Sequence, residues 1–198
     1  TKDDFSNRKS IFQFPFLLLG VVAIFCDVGL EIVAGDTIIS YGISQGIPIS
    51  LARHFTSFTM IASIIGYTIG IIAIPKYISQ SNALKICAVL GTILTIAAIS
   101  SPKMVSVLFI ASLGMANSLI WPSVWPLAIE GLGRFTGIGS SLLIMGNLGG
   151  ALVPLLYGRL ADIMDPKIAY IILIPCYIFV LYYAAWGHKT GRSRIYAG

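Results

Sequence analysis

Residues 14–43 read FPFLLLGVVAIFCDVGLEIVAGDTIISYGI. A helix needs about 20 mostly apolar residues to cross a bilayer, and this run exceeds that length with charge only at Asp27, Glu31 and Asp36. Five more apolar runs follow, at about 54–75, 84–100, 104–128, 138–160 and 168–187. Short polar connectors join them, among them KYISQSNALK from Lys76 and EGLGRFTG from Glu130. Each run is too long for a membrane β-strand, which needs about 9–11 residues. Backbone groups in lipid must be satisfied within the chain, so the runs are helices. The expected fold is an all-α membrane protein, six transmembrane helices in one domain over residues 1–198.

Composition agrees. Of 198 residues, 57% are hydrophobic and 11% charged, against about 25% charged in an ordinary soluble domain. So little polar cover excludes a soluble globule. Cys26, Cys87 and Cys176 lie in three different apolar runs without a CxxC pair; they read as small buried hydrophobes rather than a disulfide framework or a zinc site. The net charge of +5 has no basic stripe behind it, so no nucleic-acid partner is expected. Enzyme chemistry is poorly served: there is no HExxH and no Walker motif. Gly35-Asp36 is similar to a pair used by intramembrane aspartyl proteases, but Val33 replaces a needed Gly and no second Tyr-Asp pair occurs. No enzyme activity, cofactor or metal is expected. The first ten residues are polar without a signal-peptide pattern, and a chain starting at Thr1 reads as a piece of a longer protein.

Lysine and arginine set the orientation. With the N-terminus cytoplasmic, the inner side carries Lys2, Arg8, Lys9, Lys76, Lys85, Arg134, Lys189, Arg192 and Arg194. The outer side carries Arg53, Lys103, Arg159 and Lys167. The excess places both termini inside. Six spans then divide into two triplets of opposite orientation, an arrangement that transporters use to build a site near the midplane on corresponding helices. Spans one and four become equivalent, and polar chemistry concentrates on them: Asp27, Glu31 and Asp36 on one, Asn117, Ser118, Trp121 and Trp125 on the other.

A carboxylate facing lipid at the bilayer centre costs about 2.5–3.5 kcal/mol on insertion scales, so the three acids must face protein or water. Asp27 and Glu31 are four apart and share a helix face, whereas Asp36 is about 180° from Asp27. No Lys or Arg inside a span can pair with them. They line an aqueous cavity, or hold protons, or meet a partner on another chain. Intramembrane acids mark substrate and ion pathways, which makes Asp27, Glu31 and Asp36 the candidates for ion coupling. The alternative is a polar clamp between helices.

Span four carries Trp121-Pro122 and Trp125-Pro126. Each proline removes a backbone donor and tends to kink the helix. The tryptophans project from one side and offer faces for a sugar ring, while Asn117 can donate to and accept from hydroxyls. Asn147 in span five can reach the same cavity. Glycines supply packing: Gly66 and Gly70 in span two, and Gly139, Gly146, Gly149, Gly150 and Gly158 in span five, let helices approach closely where lipid provides no hydrophobic drive.

The stretch NSLIWPSVWPLAIEGLGRFTGIGSSLLIMGNLGGALVPLLYGRLAD, residues 117–162, resembles the second half of the fucose:proton symporter family. That family belongs to the major facilitator superfamily and includes L-fucose and glucose/galactose permeases. The resemblance rests on the Asn-Ser-x-x-aromatic-Pro start, Glu130-Gly131-Leu132-Gly133, Thr136, Gly139-Ser140, Gly149-Gly150-Ala151 with Pro154, and Gly158-x-Leu160-Ala161-Asp162. VGLEIVAGDTIISYG in span one is similar to the family's seventh helix around Val-Gly-x-Glu, which places Glu31 at a polar family position. Two departures stand out. Where the family usually carries Gly-Arg in its eighth helix, this chain has Gly66-Tyr67, and Asp27 and Asp36 occupy places where the family usually has no acid.

The resemblance implies two inverted three-helix repeats, one half of a major-facilitator fold and the C-terminal one. It implies secondary active transport of a monosaccharide or similar polyhydroxy solute by alternating access, coupled to protons or sodium. The expected substrate-binding residues are Glu31, Asp27, Asn117, Trp121, Trp125 and Asn147. The expected partners are a sugar, a proton or sodium ion, the lipid bilayer, and an N-terminal six-helix half or a second copy of the chain. The expected location is a bacterial inner membrane. Spans one and four would line the cavity, and spans two and five would rock against the other half. A self-sufficient six-span channel or receptor-like membrane protein is the rival reading.

Overall fold

The computed structural model describes residues 10–192, and every regular element among them is helical. Six helices are long and apolar enough to cross a membrane: Pro15–Asp36, Ile49–Ala73, Gln80–Ser100, Lys103–Ile129, Gly133–Ile163 and Pro166–Ala185. These are the first to sixth spans. Together they make an integral membrane protein.

Local sequence explains most of the ends. Pro15 opens the first span, where a missing N–H costs nothing. The Ser79 side chain accepts from the Asn82 amide at the start of the third, and Asp165 does the same for Lys167 before the sixth. The first helix ends earlier than its apolar run: it stops at Asp36, bends at Thr37, and resumes over Ile38–Ser44. The Thr37 hydroxyl donates back to the Val33 carbonyl at 2.6 Å and also meets the Tyr170 hydroxyl at 2.8 Å. A threonine that bonds its own preceding turn bends a helix, and the Tyr170 contact holds that bend.

Four other spans are irregular within their length, the second being interrupted at Arg53–His54. The fourth is broken at Ser118–Leu119 between helices Lys103–Asn117 and Ile120–Ile129. Pro122 has no N–H to offer the Ser118 carbonyl four residues earlier, which accounts for the position of the break. The sixth has a 3-10 turn at Tyr170–Ile172; there Pro175 cannot serve the Ile171 carbonyl. The fifth has one at Gly146–Leu148.

The packing order is symmetrical. The first span packs on the fifth, sixth and fourth; the fourth packs on the second, third and first; the third packs on the sixth. Exchanging one with four, two with five and three with six reproduces the same neighbours, as two inverted triplets require. The first and fourth spans are the central, most buried pair, while the second and fifth are the least buried.

Glycine makes the close crossings. Cβ atoms added at Gly66 and Gly70 would collide with Ser118 and Leu119 of the fourth span. Gly146 and Gly149 lie against the Val21 and Phe25 carbonyls of the first, and Gly150 against Val28. Gly139 packs on Leu132 and Leu17, whereas Gly158 has open space around it. The cysteines are free thiols, and Cys26 of the first span lies near Cys176 of the sixth. Lys2, Arg8, Lys9 and Arg194, which weigh in the charge asymmetry, lie outside the described residues.

Candidate functional site

Asp27 and Glu31 share a face of an unbroken helix, yet their environments differ sharply. Asp27 is 1% exposed, and neither carboxylate oxygen has a hydrogen-bond partner among the described residues. Glu31, one turn further on, is exposed. Packing covers position 27 and leaves position 31 open. Tyr177 of the sixth span and Cys87 of the third lie within electrostatic range of Asp27.

Asn117 belongs to the buried part. It is 5% exposed, its Oδ1 accepts from the Tyr177 hydroxyl at 2.6 Å, and its Nδ2 has no partner. Ser123, 1% exposed, likewise has an unpartnered hydroxyl. Asn117 and Tyr177 thus join the fourth and sixth spans through a buried hydrogen bond, with Asp27 of the first span within electrostatic range of Tyr177.

The open part is built by the first, second and fourth spans. Tyr67 of the second span is exposed and within electrostatic range of Glu31 and Asp27. Its neighbour Gly66 packs on Ser118, one turn before Trp121. Trp121, 38% exposed, stacks on Trp125 with ring centroids 4.8 Å apart and planes at 27°. Each ring uses one face on the other, and Trp121 is the more exposed of the pair. Trp125 is half-buried.

Asn147 is exposed in the 3-10 turn of the fifth span, and its neighbours Gly146 and Gly149 place it level with Val21–Phe25. Asp36 is exposed at the C-terminal end of the first helix, away from Asp27. Tyr67, Tyr177 and Ser123 were not singled out by chemistry in the sequence. The sequence marks Tyr67 only as standing where the resembled family carries arginine; it lies within electrostatic range of both acids. Tyr177 gave no signal, because one tyrosine among the aromatic residues of the sixth span is indistinguishable from packing.

A solved major facilitator superfamily transporter, FucP in the outward conformation, superposes on this chain with a TM-score of 0.83 at 23% identity. The alignment covers 87% of this chain and 42% of that one. The chain has the fold of one major-facilitator half. Among sequences, the glucose/galactose transporter of Brucella abortus (biovar 1, strain 9-941) is 30% identical over 190 residues, 93% of this chain and 46% of that protein. The L-fucose-proton symporter of Escherichia coli K12 is 25% identical over 177 residues, 87% of this chain and 40% of its own length. These proteins are homologues, and the chain spans about half the length of each. No model of a known protein family matches it.

Proposed function

We propose that this chain is the C-terminal six-helix half of a secondary active transporter that moves a monosaccharide across a bacterial inner membrane by alternating access. The other half is an N-terminal six-helix unit. Glucose and galactose are the substrate class named for one homologue, and the proton is the coupling ion named for another. Both termini are cytoplasmic in this reading, following the basic inner loops.

One juxtaposition supports the reading: Tyr67 lies within electrostatic range of Glu31, and Gly66 beside it packs on Ser118, one turn before the exposed Trp121. A carboxylate, a phenol and an indole face are the groups that hold a sugar, by hydrogen bonds to hydroxyls and by contact with the C–H face of the ring. Asn147 adds an amide on the fifth span. Trp125 supports Trp121 from behind, and Asn117 with Asp27 forms the layer beneath. Asp27, Glu31 and Asp36 are the acids available for ion coupling. Exposed isoleucines on the second span, such as Ile64, Ile65 and Ile71, and Leu148, Leu152 and Leu155 on the fifth, give the faces that slide against the other half or meet lipid.

Counterflow tests this directly. Proteoliposomes holding the full transporter and loaded with unlabelled galactose should take up labelled galactose in a saturable way, and Glu31→Gln should weaken that uptake. Flux that rises linearly with concentration would identify a channel and end the carrier reading.

A further inference from the structure

Where the third span begins and the sixth stops, cations gather. The Ser81 hydroxyl, in the first turn of the third span, donates to the Ala184 carbonyl at 2.8 Å and ties the two spans together there. Lys85 lies one turn further along the same face of the third span and is half-buried. His188 and Lys189 follow the sixth span in a short 3-10 turn, with Lys189 exposed. Lys85, Lys189 and Arg192 all lie within electrostatic range of His188. Two stretches distant in sequence thus bring three cations to one end of the bundle.

Only one of the three is engaged inside the protein. Arg192 is buried, paired with Glu130 and bonded to the Leu127 and Glu130 carbonyls. Lys85 Nζ meets only the neutral Asn82 Oδ1, at 3.4 Å. Among the described residues, neither Lys85 nor Lys189 belongs to an ion pair. Like charges brought together repel, the more so where a membrane lowers the local dielectric.

The neighbouring surface is apolar. Val89 and Ile93 continue the Lys85 face of the third span, and Ile178, Tyr182 and Trp186 form a stripe on the sixth, all exposed. The Tyr182 and Trp186 rings lie 6.4 Å apart, and such rings at the end of a span sit at the headgroup level of a bilayer. Apolar stripe, aromatic pair and lysines follow in the order in which a phospholipid presents acyl chain, glycerol and headgroup.

We propose that Lys85 and Lys189 hold the headgroup of an anionic phospholipid, whose acyl chains lie along the exposed faces of the third and sixth spans. The long stem of Lys85 lets its ammonium reach from within the span to the headgroup level. The lipid phosphate supplies the counter-charge that these lysines lack among the described residues. Because the third span belongs to one triplet and the sixth to the other, a headgroup held by both lysines joins the two triplets beside the Ser81–Ala184 bond. None of this depends on what the protein carries.

Trp186, three residues before Lys189 and 68% exposed, is the reporter. The full-length protein, with every other tryptophan replaced by phenylalanine, is reconstituted in phosphatidylcholine. Brominated phosphatidylglycerol should then quench Trp186 more strongly than brominated phosphatidylcholine at equal mole fraction. At low salt each lysine should contribute about fivefold to that preference. Lys85→Gln and Lys189→Gln should each lower it by about that factor, while Lys85→Arg and Lys189→Arg, which keep the charge, should keep it. In the unmodified protein in detergent, added phosphatidylglycerol should raise the unfolding temperature and phosphatidylcholine should not. Equal quenching or equal stabilisation by the two lipids would overturn the proposal, as would a preference unchanged when both lysines are glutamine. A preference abolished by inorganic phosphate but not by chloride at equal ionic strength would make this a site for a free anion and overturn the lipid.

Discussion

Replacing Gly149 by alanine is the sharpest test of how the bundle is held together. A Cβ there would stand 2.6 Å from the Phe25 carbonyl carbon and 2.9 Å from its Cα, and closer still to the oxygen. Ordinary contact begins near 3.4 Å. The obstacle is backbone, which cannot rotate away, so the first and fifth spans must part by more than about 1 Å in a close-packed interior. Overpacking of this kind costs about 1–3 kcal/mol, and the rigid obstacle puts Gly149→Ala toward the upper end.

Gly158 lies on the same helix with nothing within 4 Å. There, alanine brings only its better helix propensity, worth about 1 kcal/mol. Propensity is common to both substitutions, so the difference between them isolates the steric term, about 2–3 kcal/mol by the same ranges. Denaturant titration of the purified protein in detergent, followed by fluorescence, measures each variant. Gly149→Ala should unfold well before the unmodified protein, and Gly158→Ala at or after it. Equal shifts in the two variants would refute the close crossing.

Two further predictions concern Arg192 and His188. Arg192 is 5% exposed and donates to Glu130 Oε2 at 2.6 Å, to the Leu127 carbonyl at 2.8 Å and to the Glu130 carbonyl at 2.9 Å, lying over the Phe16 ring. Arg192→Ala strips the last turn of the fourth span of these donors and should cost about 2 kcal/mol. Glu130→Gln should cost less than about 1 kcal/mol, because that carboxylate is 61% exposed; detergent unfolding that ranks the two in reverse would contradict this reading. His188, beyond the sixth span, is buried, with Nδ1 3.0 Å from the Tyr183 carbonyl. Burial first, then Lys189, Arg192 and Lys85, pull its imidazole below its ordinary value of about 6.5, against the opposing carbonyl contact. The unfolded chain therefore binds this proton more readily, so stability is full above about pH 6.5 and falls as pH drops below it. His188→Gln should flatten that part of the stability–pH curve.

Much of the architecture is legible in the sequence because lipid imposes it. Apolar runs of span length, the two triplets and the glycine crossings at Gly66, Gly70, Gly146 and Gly149 follow from backbone satisfaction and small-residue packing. What needs the structure is burial on a shared face. Asp27 and Glu31 are indistinguishable by spacing, and only the packing around position 27 separates them. The helix breaks show the same division. Proline flags a kink in the fourth span, but the break falls at Ser118, four residues before Pro122, where the orphaned carbonyl lies. The bend at Thr37 depends on Tyr170, which is distant in sequence and leaves no local mark.

The central claim is that sugar sits against Trp121 and Glu31. The chain has three tryptophans, Trp121, Trp125 and Trp186, and Trp186 lies exposed past the end of the sixth span. Removing it as Trp186→Phe leaves the stacked pair as this chain's reporter, and any tryptophans of the other half are to be replaced by phenylalanine as well. Galactose titrated into that protein should change indole fluorescence saturably, and Glu31→Gln should move the midpoint to higher concentration. Fluorescence unmoved by galactose, or a midpoint indifferent to Glu31, would contradict the account.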